Sequence, residues 1–271
     1  MGGSFFDEDG GQMRVICLGT GTSFGVPMVA CDCAVCTSTD PRNKRNRCSV
    51  LVEMPEGNLL IDAPPELRLA CLAHAVRRVD AVALTHTHAD HIMGMDDIRR
   101  FNVLNGAEMP IYAEETFCDD VRRVFRYVFT AGQEGGGRPK FRLINIHPGR
   151  EFSLLGAAVT PLRILHGELA ITAFRIGSFA YVTDVSHIPP RTLEGLRGLD
   201  VLILGAIRDE PHATHFSIPQ AIDVVKDLSP RRAFFTHLTH DVDHAELSGR
   251  LPPGMLPAFD GQVIDIIEST N

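Results

Sequence analysis

The sequence has no long hydrophobic run and no excess of basic residues. Hydrophobic residues make up 44% and charged residues 22% of the 271 positions, and the apolar residues fall in short segments. This pattern excludes an extensively disordered chain and predicts no membrane span. The formal net charge of -8 argues against a nucleic-acid coat or a protein that binds anionic membranes. Any phosphate group that the protein binds must therefore be held by a local group of residues.

The first dozen residues are polar and acidic, and they lack the basic start and apolar stretch of a secretory signal. We therefore expect a cytoplasmic protein. The seven cysteines, an odd number, do not fit a disulfide framework in such a chain. The length favours one large core, so the expected organisation is a flexible tail over residues 1–12 and a single domain over residues 13–271.

Several short apolar segments run into a polar or small residue, and this pattern predicts strands. Three of them end on a potential metal ligand: residues 81–85 before His86, 180–183 before Asp184, and 233–236 before His237. Amphipathic helices are predicted between the strands, including one from Ser217, its N-cap, to Leu228. The mixture of strands and helices predicts an α/β layered sandwich rather than an all-β barrel.

The densest group of polar side chains is His86-Thr87-His88-Ala89-Asp90-His91, directly after a predicted strand. Residues two apart in extended backbone point to the same side, so His86 and His88 can bind one ion. The turn that follows directs Asp90 and His91 toward a second ion. Further ligands are expected at other strand ends, namely His166, Asp184 and His237.

The chain resembles the metallo-β-lactamase superfamily over most of its length. The resemblance rests on the HxHxDH spacing, the lone His166, the Asp184 that follows Tyr181-Val182-Thr183, and the late Phe235-Thr236-His237. The resemblance implies a four-layer αββα sandwich, with two mixed β-sheets flanked by helices and two metals at one edge. It implies that the first metal is bound by His86, His88 and His166, and the second by Asp90, His91 and His237, with Asp184 bridging both. A bridging Asp, rather than Cys, favours the phosphodiesterase and RNase Z branches.

A second site is predicted by Cys31-Asp32-Cys33-Ala34-Val35-Cys36, whose three thiolates leave a tetrahedral zinc one ligand short. His240, three residues after His237, is the candidate for the fourth ligand. This combination resembles the PhnP-type cyclic phosphodiesterase branch, in which a Cys triplet and a late His close a structural zinc site. We therefore expect a structural zinc on Cys31, Cys33, Cys36 and His240. The alternative is a cluster of buried or redox thiols.

His215 lies just before the helix that begins after Ser217, where members of this branch place a histidine that faces the substrate phosphate. Its position 22 residues before His237 favours it over His212. The expected role is to give a proton to a leaving alkoxide or a charge-assisted hydrogen bond to a phosphoryl oxygen. The alternative is a histidine that only caps the helix. Asp62, after another predicted strand, is expected to orient a ligand histidine.

Two further segments have less specific patterns. Gly19-Thr20-Gly21 is not followed by the lysine and helix of a nucleotide-binding loop, so we expect a tight turn near the metals. A basic loop is formed by Arg42, Lys44, Arg45 and Arg47. These side chains could bind a substrate phosphate, but short charged segments are usually solvated, and we favour that interpretation.

The function predicted from these residues is a metal-dependent phosphodiesterase that hydrolyses a small, possibly cyclic ribosyl, phosphodiester. Two zinc or manganese ions would share a hydroxide, Asp90 would help to orient it, and His215 would assist the leaving oxygen. Three alternatives stay open: an RNase Z-like tRNA 3′ endonuclease, a lactone or thioester hydrolase, and a non-catalytic cofactor-biosynthesis scaffold resembling PqqB. The expected partner is a small-molecule substrate, without membrane or nucleic acid. A homodimer is expected from the family resemblance alone.

Overall fold

The structure, a computed structural model, describes residues 13–130 and 137–267, so the predicted tail over residues 1–12 lies outside it. The strands of the described residues are β1 (Arg14–Gly19), β2 (Ser49–Met54), β3 (Gly57–Ile61), β4 (Ala81–Ala83), β5 (Met109–Ala113), β6 (Phe141–Asn145), β7 (Phe152–Leu154), β8 (Ala157–His166), β9 (Leu169–Ile176), β10 (Phe179–Val182), β11 (Val201–Gly205), β12 (Arg232–Thr236), β13 (Met255–Pro257) and β14 (Val263–Asp265). The α-helices are α1 (Ala34–Thr37), α2 (Leu67–Ala73), α3 (Ala89–Ile92), α4 (Arg99–Asn105), α5 (Glu115–Val124), α6 (Arg126–Phe129), α7 (Pro190–Gly195), α8 (Ile218–Leu228) and α9 (His244–Arg250). Two short 3₁₀ helices span Pro41–Asn43 and Met95–Ile98.

The strands form two seven-stranded sheets. The first has the order β14-β1-β2-β3-β4-β5-β6 and the second the order β13-β12-β11-β10-β9-β8-β7. Each sheet is mixed: strands β14 to β3 pair antiparallel and β3 to β6 parallel, while β7 to β10 pair antiparallel and β10 to β13 parallel. The parallel halves carry the crossover helices, as parallel connections require.

Strand β11 shows how the layers are packed. All five of its residues are buried, because both faces of the strand are covered. Val201 and Ile203 point into the core between the two sheets, whereas Leu202 and Leu204 point into the core beneath the helices. Strand β3 alternates in the same way. The fold is therefore the predicted four-layer αββα sandwich, with one core between the sheets and others under the outer helices.

The predicted elements match the structure in type more closely than in extent. Helix α8 has the predicted Ser217 N-cap, in a capping box with Gln220. Residues 115–129 form two helices rather than one, because α5 ends and α6 begins at Phe125. Strand β4 is shorter than the predicted segment 81–85. Among the described residues, we find no helix with the length and apolar character needed to cross a membrane.

Three strands turn sharply at the same edge of the sandwich. Asp62 follows β3, Asp184 lies just beyond β10, and His237 follows β12. All three have left-handed backbone, with φ values of 63°, 55° and 61°. Such backbone is uncommon for residues with a side chain, is tolerated best by Asp, Asn and His, and is concentrated at functional sites. The chain thus leaves each strand abruptly and keeps these three side chains at the sheet edge.

Candidate metal centre

The structure brings the predicted ligands of both metals to this edge. His86 follows β4, His88 caps the short helix α3, and that helix carries Asp90 and His91. His166 is the last residue of β8 in the opposite sheet. We call this group the His/Asp cluster, and it consists of His86, His88, Asp90, His91, His166, Asp184 and His237.

Ligand atoms in the His/Asp cluster are close enough to share cations. Donor atoms of His86, His88 and His166 lie within 4.8 Å of one another, and the same holds for His86, His91 and Asp184. His91 Nε2 lies 3.4 Å from Asp184 Oδ2 and 3.4 Å from Asp90 Oδ2. His237 Nδ1 lies 3.2 Å from Asp184 Oδ1. Asp184 therefore lies between the two predicted halves of the cluster, as a bridging ligand would.

Hydrogen bonds to the outer ring nitrogens orient two of the histidines. His91 Nδ1 donates to Asp62 Oδ2 at 2.8 Å, and His166 Nδ1 donates to the Thr214 carbonyl at 2.8 Å. Each bond places the ring proton on Nδ1 and leaves the Nε2 lone pair for a cation, the usual arrangement around metal-binding histidines.

Several buried ring nitrogens have no hydrogen-bond partner among the described residues: His86 Nε2, His91 Nε2 and His237 Nδ1. Buried polar atoms are normally hydrogen-bonded, and an unpaired one indicates a missing water or ion. These atoms converge with carboxylates of Asp90 and Asp184. The donor set is thus the one expected for divalent cations such as zinc or manganese.

Asp62 supports the cluster from behind. It is completely buried and accepts hydrogen bonds from the Thr85 backbone N–H at 2.9 Å and the Thr85 hydroxyl at 2.8 Å, in addition to the bond from His91. The predicted orienting role of Asp62 therefore agrees with the contacts. Thr85, which the sequence analysis did not single out, completes this support and also lies 3.0 Å from His86 Nδ1. Its position directly before the first histidine was the available signal.

Burial and the charges of neighbouring side chains shift the pKa values in the His/Asp cluster. Burial lowers the pKa of His237 to about 4, so the ring is neutral at pH 7. The pKa of Asp184 is held well below its usual range, against the effect of burial, by its contacts with His237 and His91. Asp184 and Asp62 in turn raise the pKa of His91 well above its usual range, against burial, so His91 must release a proton when it binds a cation. Neutral imidazole and ionised carboxylate are the forms that bind a cation.

The cluster is open on one side. His86, His91, Asp184 and His237 are at most 2% exposed, whereas His88 is exposed and His166 is partly buried. His215 lies at this open side, with Nε2 3.4 Å from Asp184 Oδ2 and its ring centroid 4.6 Å from that of His166. His212 is exposed, and its Nδ1 lies 3.2 Å from His215 Nδ1. Of the two candidates, His215 is the one in contact with the cluster.

The predicted zinc ligands also come together. Donor atoms of Cys31, Cys33, Cys36 and His240, which we call the Cys cluster, lie within 4.8 Å of one another. His240 Nδ1 is 3.3 Å from both Cys31 Sγ and Cys33 Sγ. A hydrogen bond from the Cys36 N–H, together with His240, lowers the pKa of the Cys33 thiol to about 6, while burial raises that of Cys36 to about 11. Three sulfurs and one imidazole fit a tetrahedral zinc.

The basic loop is not uniformly solvated, so our interpretation of it was wrong for one residue. Arg42 is exposed and pairs with Asp40, and Arg47 pairs with Glu66. Arg45, in contrast, is only 2% exposed. The neighbouring Gly21 allows this close packing, because a Cβ there would lie 2.9 Å from the Arg45 Cβ.

The fold and these clusters agree with comparisons to known proteins. Residues 57–238 match the family described as the beta-lactamase superfamily domain. An octanoyltransferase from Porphyromonas gingivalis is 37% identical over 252 residues, covering 92% of this chain but only 51% of that protein, so the chain spans about half its length.

Two solved structures were also compared. A crystal structure described as a new diphosphatase from the PhnP family is 38% identical, with a TM-score of 0.88, covering 94% of this chain and 97% of that one. Zinc-bound PqqB from Methylobacterium extorquens shares the fold, with a TM-score of 0.75 and 20% identity over 93% of this chain and all of that one. By its family match, fold and relatives, this chain belongs to the metallo-β-lactamase superfamily.

Proposed function

We propose that the protein is a metal-dependent phosphodiesterase, and that its substrate is a small molecule. The observation that carries the proposal is the position of His215. The His/Asp cluster already contains seven ligand side chains, and His215 is an additional histidine at its open side, 3.4 Å from Asp184. A histidine placed beside the metals, and not required to bind them, suits a reaction that needs a proton donor.

Two divalent cations in the His/Asp cluster would supply a nucleophile at neutral pH and neutralise charge on the phosphoryl oxygens. The chain itself positions the ligands: Asp62 and Thr214 hold the rings of His91 and His166 through their Nδ1 atoms. Asp184 keeps its charge through contact with His91 and His237. These contacts exist before substrate binds, so little reorganisation is required during the reaction.

His215 would act on the leaving group. The Thr214 hydroxyl lies 2.9 Å from His215 Nδ1. When the ring is protonated on both nitrogens, Nδ1–H donates to that hydroxyl and Nε2–H faces the cluster, so loss of the Nε2 proton leaves a neutral imidazole. From there His215 can give the proton to the alkoxide that leaves phosphorus and regain one from solvent at the open side. Asp90 remains a ligand and helps to orient the nucleophile.

A second candidate substrate is a diphosphate ester. It is favoured by one observation, the 38% identity to the protein described as a diphosphatase of the PhnP family. Attack at phosphorus with departure of an oxygen is common to phosphodiesters and diphosphates, so the same residues would serve. The choice between them then depends on the shape and charge of the open side.

Acyl transfer or thioester hydrolysis is the alternative raised by the octanoyltransferase of Porphyromonas gingivalis. The match covers only 51% of that protein, whereas its name describes the whole protein. The remaining half lies outside the match, so the name does not assign acyl chemistry to the half that resembles this chain. We therefore place phosphoryl chemistry first.

The test compares four chromogenic or coupled substrates on zinc- or manganese-loaded protein: an aryl phosphodiester, its monoester, an alkyl diphosphate ester and an octanoyl thioester. We expect turnover of the diester, or of the diphosphate if the second candidate holds, and its loss on chelation. Turnover of the thioester alone would overturn the proposal. So would the absence of any phosphoryl turnover in protein shown by metal analysis to be fully loaded.

A further inference from the structure

One short segment of backbone serves both clusters. His237 follows β12 and belongs to the His/Asp cluster, and His240, three residues later, belongs to the Cys cluster. Only Leu238 and Thr239 separate them. Leu238 N–H is bonded to the Thr20 carbonyl and Thr239 N–H to the Ile207 carbonyl, so the segment is held on both sides. A displacement of this segment therefore moves a ligand in each cluster.

A buried guanidinium lies against the same segment. Arg45 donates to the Thr239 carbonyl at 3.2 Å and to the Val242 carbonyl at 2.9 Å, on the two sides of His240. It also donates to Asn43 Oδ1 at 3.3 Å. No carboxylate of the residues that the structure describes lies within 4 Å of it. Burying a cation without a carboxylate in direct contact is unfavourable, so these three bonds are the ones that stabilise the two terminal guanidinium nitrogens. The Nε atom has no hydrogen-bond partner among the described residues, and the charges of Asp260, Asp243 and Asp40 act on the guanidinium from further away.

Residues 43–45 also hold the other side of the Cys cluster. Lys44 Nζ donates to the Cys36 carbonyl at 2.9 Å. The Arg45 backbone exchanges two hydrogen bonds with Val26, and Val26 packs in a small apolar cluster with Cys36. Asn43 accepts a hydrogen bond from the His244 N–H at 2.9 Å. The loop from 43 to 45 is therefore bonded both to the segment that bears the thiols and to the segment that bears His240.

We propose that Arg45 is a positioning residue that couples the two clusters. By fixing the carbonyls on both sides of His240, it holds the segment in the register that places His240 on the thiols and His237 on Asp184. Binding of a metal by the Cys cluster then increases the affinity of the His/Asp cluster for its cations. The proposal rests on metal binding by both clusters and is independent of the substrate.

The test is a titration with Co²⁺ of the metal-free protein. Thiolate ligands give cobalt an intense near-ultraviolet charge-transfer band, whereas His and carboxylate ligands give only weak visible bands, so the two clusters are followed separately. Arg45→Met keeps the length of the side chain and removes its donors. Loss of a group that orients metal ligands typically weakens metal binding by about 10- to 100-fold. We expect a loss in that range at the Cys cluster and a loss of roughly tenfold at the His/Asp cluster, with partial recovery in Arg45→Lys.

The matched control is Arg42→Met, which removes an exposed arginine of the same loop that pairs with Asp40. It should bind cobalt like the natural protein at both clusters. If Arg45→Met does not fold, as judged by its circular dichroism and melting temperature, Arg45→Lys decides the matter.

Coupling is tested separately by Cys33→Ser, alone and combined with the Arg45 variant. We expect Cys33→Ser to weaken cobalt binding at the His/Asp cluster, and the double variant to lose less than the product of the two single losses. Unchanged affinity of the His/Asp cluster in both single variants would overturn the proposal. An effect of the Arg45 variants restricted to the Cys cluster would overturn it as well. These readouts require no turnover, so they stand apart from the phosphodiesterase assignment.

Discussion

The His/Asp cluster and the Cys cluster hold their ligands by different means. The first takes its ligands from strand ends of both sheets and from α3, and its innermost residues, His86, His91 and Asp184, are at most 2% exposed. The second takes three ligands from the loop between β1 and β2, where they lie in and next to the four-residue helix α1. Cys31, Cys33 and His240 are partly exposed.

This difference in support predicts a catalytic metal site at the His/Asp cluster and a structural metal site at the Cys cluster. Ligands at strand ends are fixed by the hydrogen-bonded sheets, so the His/Asp cluster is shaped before any cation binds and can keep an open side for substrate. Ligands on a loop lack the support of a sheet and depend on a few contacts such as those of Arg45 and Lys44, so metal binding at the Cys cluster contributes more to folding. We therefore expect variants of the first cluster to affect chemistry most and variants of the second to affect stability most.

The largest effect should come from Asp184→Ala. Removing the carboxylate between the two halves of the cluster leaves His91 and His237 without their shared partner. Loss of several kcal/mol of charge stabilisation corresponds to a decrease in kcat of about 10³-fold or more. Metal analysis should show fewer ions per chain than in the natural protein. Activity within tenfold of the natural protein would show that the chemistry lies elsewhere.

His215→Ala should lower kcat by about 10²-fold while the metal content stays complete, since a proton donor contributes an effect of that size. The matched variant is His212→Ala, which removes the exposed neighbour that contacts His215 but not the cluster. It should stay near the natural rate. Steady-state kinetics with an activated and an unactivated leaving group give a further check, because a good leaving group needs less protonation. Equal losses on both substrates would argue against proton donation.

Asp62→Asn should weaken cation binding by about 10- to 100-fold, because it removes the negative charge behind His91 and replaces one of the two oxygens that accept from Thr85 and His91 with an NH₂ donor. The amide is nearly the same size, so the melting temperature of the metal-free protein should change little. Activity should return when the metal concentration is raised. A variant that stays inactive at saturating metal would place Asp62 in the reaction itself.

Cys36→Ser should act mainly on stability. It should remove one zinc per chain, and a ligand present at about 100 times its dissociation constant contributes about 2.7 kcal/mol to the folded state. The metal-loaded protein should therefore melt several degrees lower, at about 2–4 °C per kcal/mol. Activity should decrease far less than in Asp184→Ala. A normal melting temperature with lost activity would reverse the assignment of the two clusters.

Asp260 belongs to neither cluster, and its substitution should leave both metal contents unchanged. Asp260 accepts hydrogen bonds from the Asn46 N–H at 2.6 Å and the Thr20 hydroxyl at 2.8 Å. Burial raises the pKa of its carboxyl to about 7, from 3.8 in the unfolded chain. The folded state therefore binds a proton that the unfolded state has released between these values, so this contribution to stability is complete below pH 3.8 and is lost as the pH rises to about 7.

Asp260→Asn should remove that part of the pH dependence. Urea unfolding at pH 5 and pH 8 measures it, and the variant should show a smaller difference in unfolding free energy between the two values than the natural protein. The natural protein and Asp260→Asn share all their histidines, so the titration of histidines contributes equally to both pH differences. An identical pH difference in both would show that Asp260 titrates normally.

The candidate site was more predictable than the network that holds it. The candidate metal ligands His86, Asp184 and His237 lie at strand ends, and this pattern can be read from the sequence. The fold itself came from the family resemblance, because apolar patterns alone do not order strands into sheets. The hairpin of β8 and β9 was not predicted, since Pro161 lies inside β8 and proline normally disfavours an inner strand position.

Tertiary contacts explain what the sequence did not indicate. Arg45 lies in a basic loop that looks like a solvated surface, and its burial depends on carbonyls of Thr239 and Val242, almost 200 residues further along the chain. The Thr214 carbonyl that orients His166 is likewise a backbone atom with no signature in the sequence. Side chains that perform chemistry can be recognised by type, whereas backbone partners can be found only in the structure.

The most direct test of the phosphodiesterase proposal begins with removal of cations from the His/Asp cluster. The chelator must be mild enough to leave the thiolate-bound zinc in place. Hydrolysis of the aryl phosphodiester is then followed as zinc or manganese is restored. We expect turnover to disappear with one zinc still bound per chain and to return as two further ions bind. Protein that holds all three ions and does not hydrolyse the diester or the diphosphate would contradict the proposal.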